Sequence, residues 1–276
     1  KKKRVIDIST NERARRFPVA EPSIGEMEIK NMMQILKTGW ISSQGNFVVE
    51  FENLFKKYLG GGHCIAVSSG TTALQVAISS FGLGRNDEII LPNFTFAATI
   101  NSVINAGCKP VLVDVERETW TINLREIKKK ITSKTKAIMP VHNYGQPYRI
   151  DELKKFAKKY NLIVIEDCAE AIGAIYKKRL IGLDADASTF SFFANKTITT
   201  GEGGMVVFKN KKIADRARIL INHGMSPIKK YYHDYVGNNF RMTNMQAAIG
   251  VGQIKRIKSL LKLRKRIFHN YDKAFK

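Results

Sequence analysis

Five short apolar runs, "CIAVSSG", "EIILPNFTF", "KPVLVDV", "TKAIMPVHN" and "LIVIEDC", are separated by stretches with helical character: "TTALQVAISSFGL", "AATINSVINAG", "NLREIKKKI" and "DELKKFAKKYN". A strand that is followed each time by a helix returns to the sheet beside and parallel to its predecessor. Strands without a polar alternate face are buried on both sides. The pattern therefore predicts an α/β chain with a mainly parallel sheet between helices.

The flanks fit this frame. Residues 1–25 read as an irregular arm. "IGEMEIKNMMQILKTGW" reads as a helix ending at Gly39, and "NFVVEFENLFKKYLG" as a second amphipathic helix. After residue 185 two strands, "ASTFSFF" and "GGMVVFKN", enclose a loop. "KKIADRARILINHG" reads as a helix, 224–240 mostly as loop, and helices follow from about 243. There is no internal repeat or low-complexity linker.

Composition narrows the class. The apolar fraction of 44% can build a sizeable core, and no apolar run approaches the ~20 residues that span a bilayer. The start "KKKRVIDIST" lacks the apolar stretch of a secretory signal. Cys64, Cys108 and Cys168 are far apart and odd in number, which suits neither a disulfide framework nor a zinc spacing. A cytoplasmic protein with no metal centre and no membrane segment is expected. The formal charge of +22 admits polyanionic partners. Much of it sits in the tail "QIKRIKSLLKLRKRIFHNYDKAFK", where Ile254, Ile257, Leu261 and Phe268 recur at helical spacing. No nucleic-acid motif or aromatic stacking platform accompanies the charge, so nucleic acid is not expected as a partner.

Ligands of open α/β sheets sit at the carboxyl ends of strands. Four unusual features fall there. In "SSGTTAL", small residues turn a strand directly into a helix. Its free amides and the hydroxyls of Thr71 and Thr72 suit a phosphate, although Ser and Thr also serve as ordinary helix caps. Asp167 follows the apolar run "LIVIE", where a carboxylate needs a cation or strong donor, and Glu170 lies three residues on. Phe96 is an aromatic just past a strand end. Lys196 follows the aromatic run "TFSFF" and precedes "GEGG"; burial there would favour a nucleophilic amine. One ligand accounts for all four. Pyridoxal 5′-phosphate (PLP) carries a phosphate, a protonatable ring nitrogen, a flat face and an aldehyde for a Schiff-base lysine.

With those residues on the page, the chain resembles the DegT/DnrJ/EryC1/StrS sugar aminotransferases, which have the aspartate-aminotransferase fold (fold type I). The resemblance runs from "FPVAEPSIGEMEI" to the last residue and rests on "GWISSQGNFVVEFE", "VSSGTTALQVAI", "LPNFTFAATINSVINAGCKPVLVDV", "MPVHNYGQ", "IEDCAEAIGA", "FSFFANKTITTGEGGM" and "GNNFRMTNMQAAIGVGQI". It implies a large domain with a mostly parallel mixed sheet between helices, spanning residues 26–245. Residues 246–276 would begin a small C-terminal domain that is otherwise largely absent from this chain.

The resemblance also implies roles. Lys196 would be the Schiff-base lysine and Asp167 the acid at the pyridine nitrogen. Glu170 would stand near the cofactor's phenolic oxygen, and Phe96 would stack on its ring. Gly70, Thr71, Thr72 and Ser191 would surround the phosphate. Asn239 would reach the phosphate from a neighbouring subunit, which implies a homodimer with shared active sites. Relatives with histidine in place of the lysine are dehydratases, and lysine at 196 argues against that activity. The implied reaction moves an amino group from L-glutamate to C4 of a nucleotide-linked 4-keto-6-deoxyhexose. Amination at C3, or of another keto sugar, stays open, as do the nucleotide and the sugar epimer.

Overall fold

The computed structural model describes residues 20–276, so most of the arm expected over residues 1–25 lies outside the described residues. Two helices open the described chain, α1 (Glu26–Thr38) and α2 (Asn46–Leu59). The alternation then runs β1 (His63–Val67), α3 (Gly70–Ser80), β2 (Glu88–Pro92), α4 (Ala97–Asn105), β3 (Lys109–Val113), α5 (Leu124–Lys130), β4 (Thr135–Ile138), α6 (Ile150–Tyr160) and β5 (Ile163–Asp167). A small hairpin of β6 (Ile175–Tyr176) and β7 (Arg179–Leu180) follows. The chain continues through β8 (Ala187–Ser191), β9 (Gly204–Phe208), α7 (Lys211–Leu220), α8 (Asn244–Lys255) and α9 (Ile257–Ala274).

Seven strands form one sheet in the order β1-β9-β8-β5-β4-β2-β3. The pairs β2/β3, β2/β4, β4/β5 and β5/β8 are parallel, and β9 runs antiparallel to both of its neighbours. Successive side chains of a strand leave on opposite faces, and both faces are apolar here. Cys64, Ala66, Ile90, Val164, Phe190, Met205 and Val207 point into one core, with Phe51 and Phe55 of α2. Ile65, Val67, Ile89, Leu91, Ile165, Val206 and Phe208 point into the other, with α3 and α7. This double burial is why the strands read as unbroken apolar runs.

Two features depart from the sequence reading. The β6–β7 hairpin was not expected: its turn is made by Lys177 and Lys178, both with positive φ (46° and 69°), where Asn and Gly are the usual signal. The basic tail is two helices, not one. Arg256 leaves helical geometry (φ −110°, ψ 15°) as its Nε turns to the buried carboxylate of Glu28 at 2.9 Å. Ile254, Ile257 and Leu260 are buried beside this break, whereas Phe268 is 63% exposed. No helix among the described residues is long and apolar enough to cross a membrane.

Candidate active site

The carboxyl ends of β1, β2, β5 and β8 open onto one cavity of about 490 Å³. Its lining includes Gly70, Thr71, Phe96, Asp167, Glu170, Ser191 and Lys196, so seven of the nine expected site residues converge on one space. The other two do not line it. The Thr72 hydroxyl caps α3: it accepts from the Ser69 amide at 2.9 Å and donates to the Ser69 carbonyl, while Ser69 Oγ accepts from the Thr72 amide. Asn239 is exposed, in a segment bridged to Asn222.

At the N-terminus of α3, close backbone approach decides the geometry. A Cβ on Gly70 would stand 2.7 Å from Ser191 Cβ, and one on Gly204 would stand 2.3 Å from the Ser69 carbonyl. Both positions must therefore be glycine for the first turn of α3 to lie against β8 and β9. The amides of Gly70 and Thr71 have no intrahelical partner by helix geometry, and they point out at the positive end of the helix dipole. With the Ser191 hydroxyl beside them, they form an anion cradle.

At the opposite end, Asp167 is the last residue of β5 and is 5% exposed. Thr99 Oγ1 donates to its Oδ2 at 2.9 Å, and the Ala169 amide donates to its Oδ1 at 3.0 Å. Burial still pushes the carboxyl above its ordinary value, because these donors and the more distant Lys196 charge offset desolvation only in part. A buried carboxylate short of a full counter-charge is suited to a cationic ring N–H.

Lys196 sits in a turn after β8, with its amide donating to the Phe193 carbonyl at 2.9 Å. Its side chain is 19% exposed, and Nζ stands 3.5 Å from Glu170 Oε1. The second oxygen of Glu170 accepts from the Tyr144 amide at 3.0 Å. Phe96 is 78% exposed, an unshielded aromatic face at the mouth. Anion cradle, buried acid, reachable amine and open aromatic face together match the four parts of PLP.

Several residues at or behind the cavity wall carried no signal in the sequence. Thr99, which holds Asp167, is one threonine among many. Phe94, Trp120 and Tyr144 form an edge-to-face series at the rim, with ring centroids 5.5 Å and 6.4 Å apart. Trp120 and Tyr144 have φ of 55° and 51°, a backbone that costs a bulky residue of order 1–3 kcal/mol. The buried amide of Asn143 holds the arrangement by donating to the carbonyls of Phe94 (3.0 Å) and Trp120 (2.8 Å). A smaller space adjoins Lys196 and Glu170 and is bordered by Arg264 of α9, whose Nη2 donates to the Asn195 carbonyl at 3.2 Å.

Comparison with known proteins agrees with this geometry. The DegT/DnrJ/EryC1/StrS aminotransferase family model matches residues 22–276. The chain is 45% identical over 257 residues to the GDP-perosamine synthase of Caulobacter vibrioides, covering 93% of this chain and 69% of that protein. It is similar to Helicobacter pylori PseC, an aminotransferase involved in the biosynthesis of pseudoaminic acid, with a TM-score of 0.89 at 30% identity over 94% of this chain and 71% of the other. The PLP form of Spr1654 from Streptococcus pneumoniae gives a TM-score of 0.88 at 30% identity, with 94% and 71% covered. By fold, site and sequence match, the chain belongs to the DegT/DnrJ/EryC1/StrS aminotransferase family, whose enzymes work with PLP.

Proposed function

We propose that this protein transfers an amino group, from L-glutamate, to the C4 keto carbon of a nucleotide-linked 4-keto-6-deoxyhexose, as in perosamine synthesis. The observation that carries the reading is the convergence of Lys196, Asp167 and the first turn of α3 on one cavity. The 45% identity to a GDP-perosamine synthase supports the sugar nucleotide and the position of amination.

When bound, PLP supplies a carbon that carries the amino group and a ring that takes up the electrons released on proton removal. The chain's own groups do the rest. The Gly70 and Thr71 amides with Ser191 would hold the phosphate. Asp167 would keep a proton on the ring nitrogen, and Phe96 would cover the ring. The Lys196 amine would hold the cofactor's aldehyde carbon and, when free, would be placed to move the donor's α-proton. Such a positioned group contributes about 10²–10⁴-fold in rate. Glu170 orients that amine from 3.5 Å. The nucleotide diphosphate is polyanionic, and Arg264 adds positive potential beside Lys196.

Asn239 is proposed to complete the phosphate site of a second copy, in a homodimer with shared sites. Its exposure, and its absence from the lining of its own chain's cavity, support this reading. Mixing Lys196→Ala with Asn239→Ala chains tests it: recovered activity supports sharing, and no gain over the parents counts against it.

The reaction itself is tested by incubation with PLP, L-glutamate and a panel of nucleotide-linked 4-keto and 3-keto sugars, with products read by mass and NMR. A 4-amino product from wild type and none from Lys196→Ala is expected. Normal turnover by Lys196→Ala, or amination of 3-keto sugars alone, would sink the reading.

A further inference from the structure

The side chain next to Asp167 leaves on the other face of β5 and enters a buried polar network that the proposed chemistry does not use. Glu166 is fully buried and accepts three hydrogen bonds: from His142 Nε2 at 3.1 Å, Tyr148 Oη at 3.0 Å and Ser188 Oγ at 2.7 Å. His142 is also fully buried; its ring packs 4.7 Å from that of Tyr148, and its Nδ1 has no partner. Cys168 completes a cluster whose ligand atoms lie within 4.8 Å of one another. Both Glu166 oxygens are already occupied by donors, which argues for a closed hydrogen-bond network rather than a cation site.

Burying a carboxylate and an imidazole in an otherwise apolar core is unfavourable compared with filling the space by apolar side chains. What the network touches suggests why it is kept. The His142 amide donates to the Asp167 carbonyl at 3.0 Å, and the Asp167 amide donates to the Pro140 carbonyl at 2.9 Å. Ser188 is the sheet partner of Glu166, and Thr189 that of Asp167. His142, which grips the Glu166 side chain, thus also holds the Asp167 backbone, and Ser188, which grips it too, adjoins the sheet partner of Asp167.

We infer that Glu166 and His142 are positioning residues for Asp167: they fix the depth of its carboxylate under the cavity and hold the Glu166 carboxylate directly behind it. This rests on the proposed role of Asp167 at the ring nitrogen. The two neighbouring carboxyls are pushed apart. Burial opposes ionisation at both, but His142, Ser188 and Tyr148 bring Glu166 below its ordinary value while Asp167 stays above. Divergent neighbours of this kind mark a site where charge is placed deliberately. The negative charge of Glu166 favours a proton on the far side of Asp167, and loss of that charge disfavours it.

The test loads wild type, Glu166→Gln, Tyr148→Phe and Asp167→Asn with PLP enriched in ¹⁵N at the ring nitrogen. It reads the ring ¹⁵N chemical shift, the PLP dissociation constant and the Tm of the cofactor-free protein. Glu166→Gln is expected to move the ring shift toward the unprotonated value and to weaken PLP about ten-fold, the equivalent of one pK unit. Tyr148→Phe, which removes one donor, should shift both in the same direction by less, and it carries the test if Glu166→Gln does not fold. A drop in Tm with the ring shift unchanged and PLP affinity within about two-fold of wild type makes the pair purely structural and overturns the proposal. If Asp167→Asn also leaves the ring shift unmoved, the role of Asp167 falls and the proposal falls with it. If Asp167→Asn moves the shift and the Glu166 and Tyr148 variants do not, the proposal alone falls.

Discussion

Thr99 Oγ1 donates to Asp167 Oδ2 at 2.9 Å, from the first turn of α4 to the last residue of β5. Both groups are buried, and the bond joins elements 68 residues apart in sequence. A hydrogen bond to a charged group contributes about 1.5–3 kcal/mol. Thr99→Val keeps the shape and removes the donor. A fall in kcat of about ten- to a hundred-fold is expected, with substrate KM little changed. Steady-state kinetics decide it, and a wild-type kcat would show that Thr99 does not support Asp167.

Asp167 should make the cofactor-free protein less stable. A carboxyl raised in the folded state holds its proton more tightly there than in the unfolded chain. The penalty is absent below the unfolded value, grows as pH rises, and is complete above the raised folded value. Asp167→Asn removes it. The cofactor-free variant is expected to melt above wild type at neutral pH by about 2–4 °C per kcal/mol relieved, with the gap closing in acid. With PLP bound the order should reverse, because wild type alone retains the counter-charge. Calorimetry against pH, with and without PLP, checks both; a gap that widens in acid would refute the assignment.

The glycine contacts behind the proposed phosphate cradle make a steric prediction. Gly70→Ala places a methyl against Ser191, and Gly204→Ala places one against the Ser69 carbonyl. Overpacking of this kind costs about 1–3 kcal/mol, and the backbone shift that relieves it opens the cradle. Urea unfolding should show the lost stability, and titration with PLP or inorganic phosphate a weaker affinity. Retained affinity for both ligands would mean that the cradle tolerates the shift.

Glu28 ties α1 to the break between α8 and α9. It is 1% exposed and accepts from Gln253 Nε2 at 2.6 Å and Arg256 Nε at 2.9 Å. Burial alone would raise its carboxyl, but its own amide geometry, Gln253 and Arg256 together lower it. A lowered folded value gives stability that is full above the unfolded carboxylate value and is lost as pH falls through the folded one. Glu28→Ala leaves Arg256 without that partner and should cost about 3–5 kcal/mol at neutral pH, with the difference from wild type shrinking in acid. Denaturant curves at neutral and acid pH measure it; an equal cost at both would rule out the charge as its source.

The strand–helix alternation, both buried sheet faces and the strand-end positions of Gly70, Phe96, Asp167, Ser191 and Lys196 were legible because they depend on local periodicity and on where apolar runs stop. Hydrophobic burial acts on each element where it stands, so its pattern is written along the chain. Other features depend on pairs brought together from distant positions. The reversed direction of β9, the Thr99 bond to Asp167, the Asn143 amide that ties Phe94 to Trp120, and the Arg256 turn toward Glu28 are of this kind. Their energies come from specific distances and unpaired donors, which no single stretch of sequence encodes. The sequence by itself determined the sheet, the family and seven of the residues that line the cavity; tertiary packing alone decided that Thr72 serves α3 as a cap, and that Glu166 faces away from the cavity while its neighbour Asp167 faces into it.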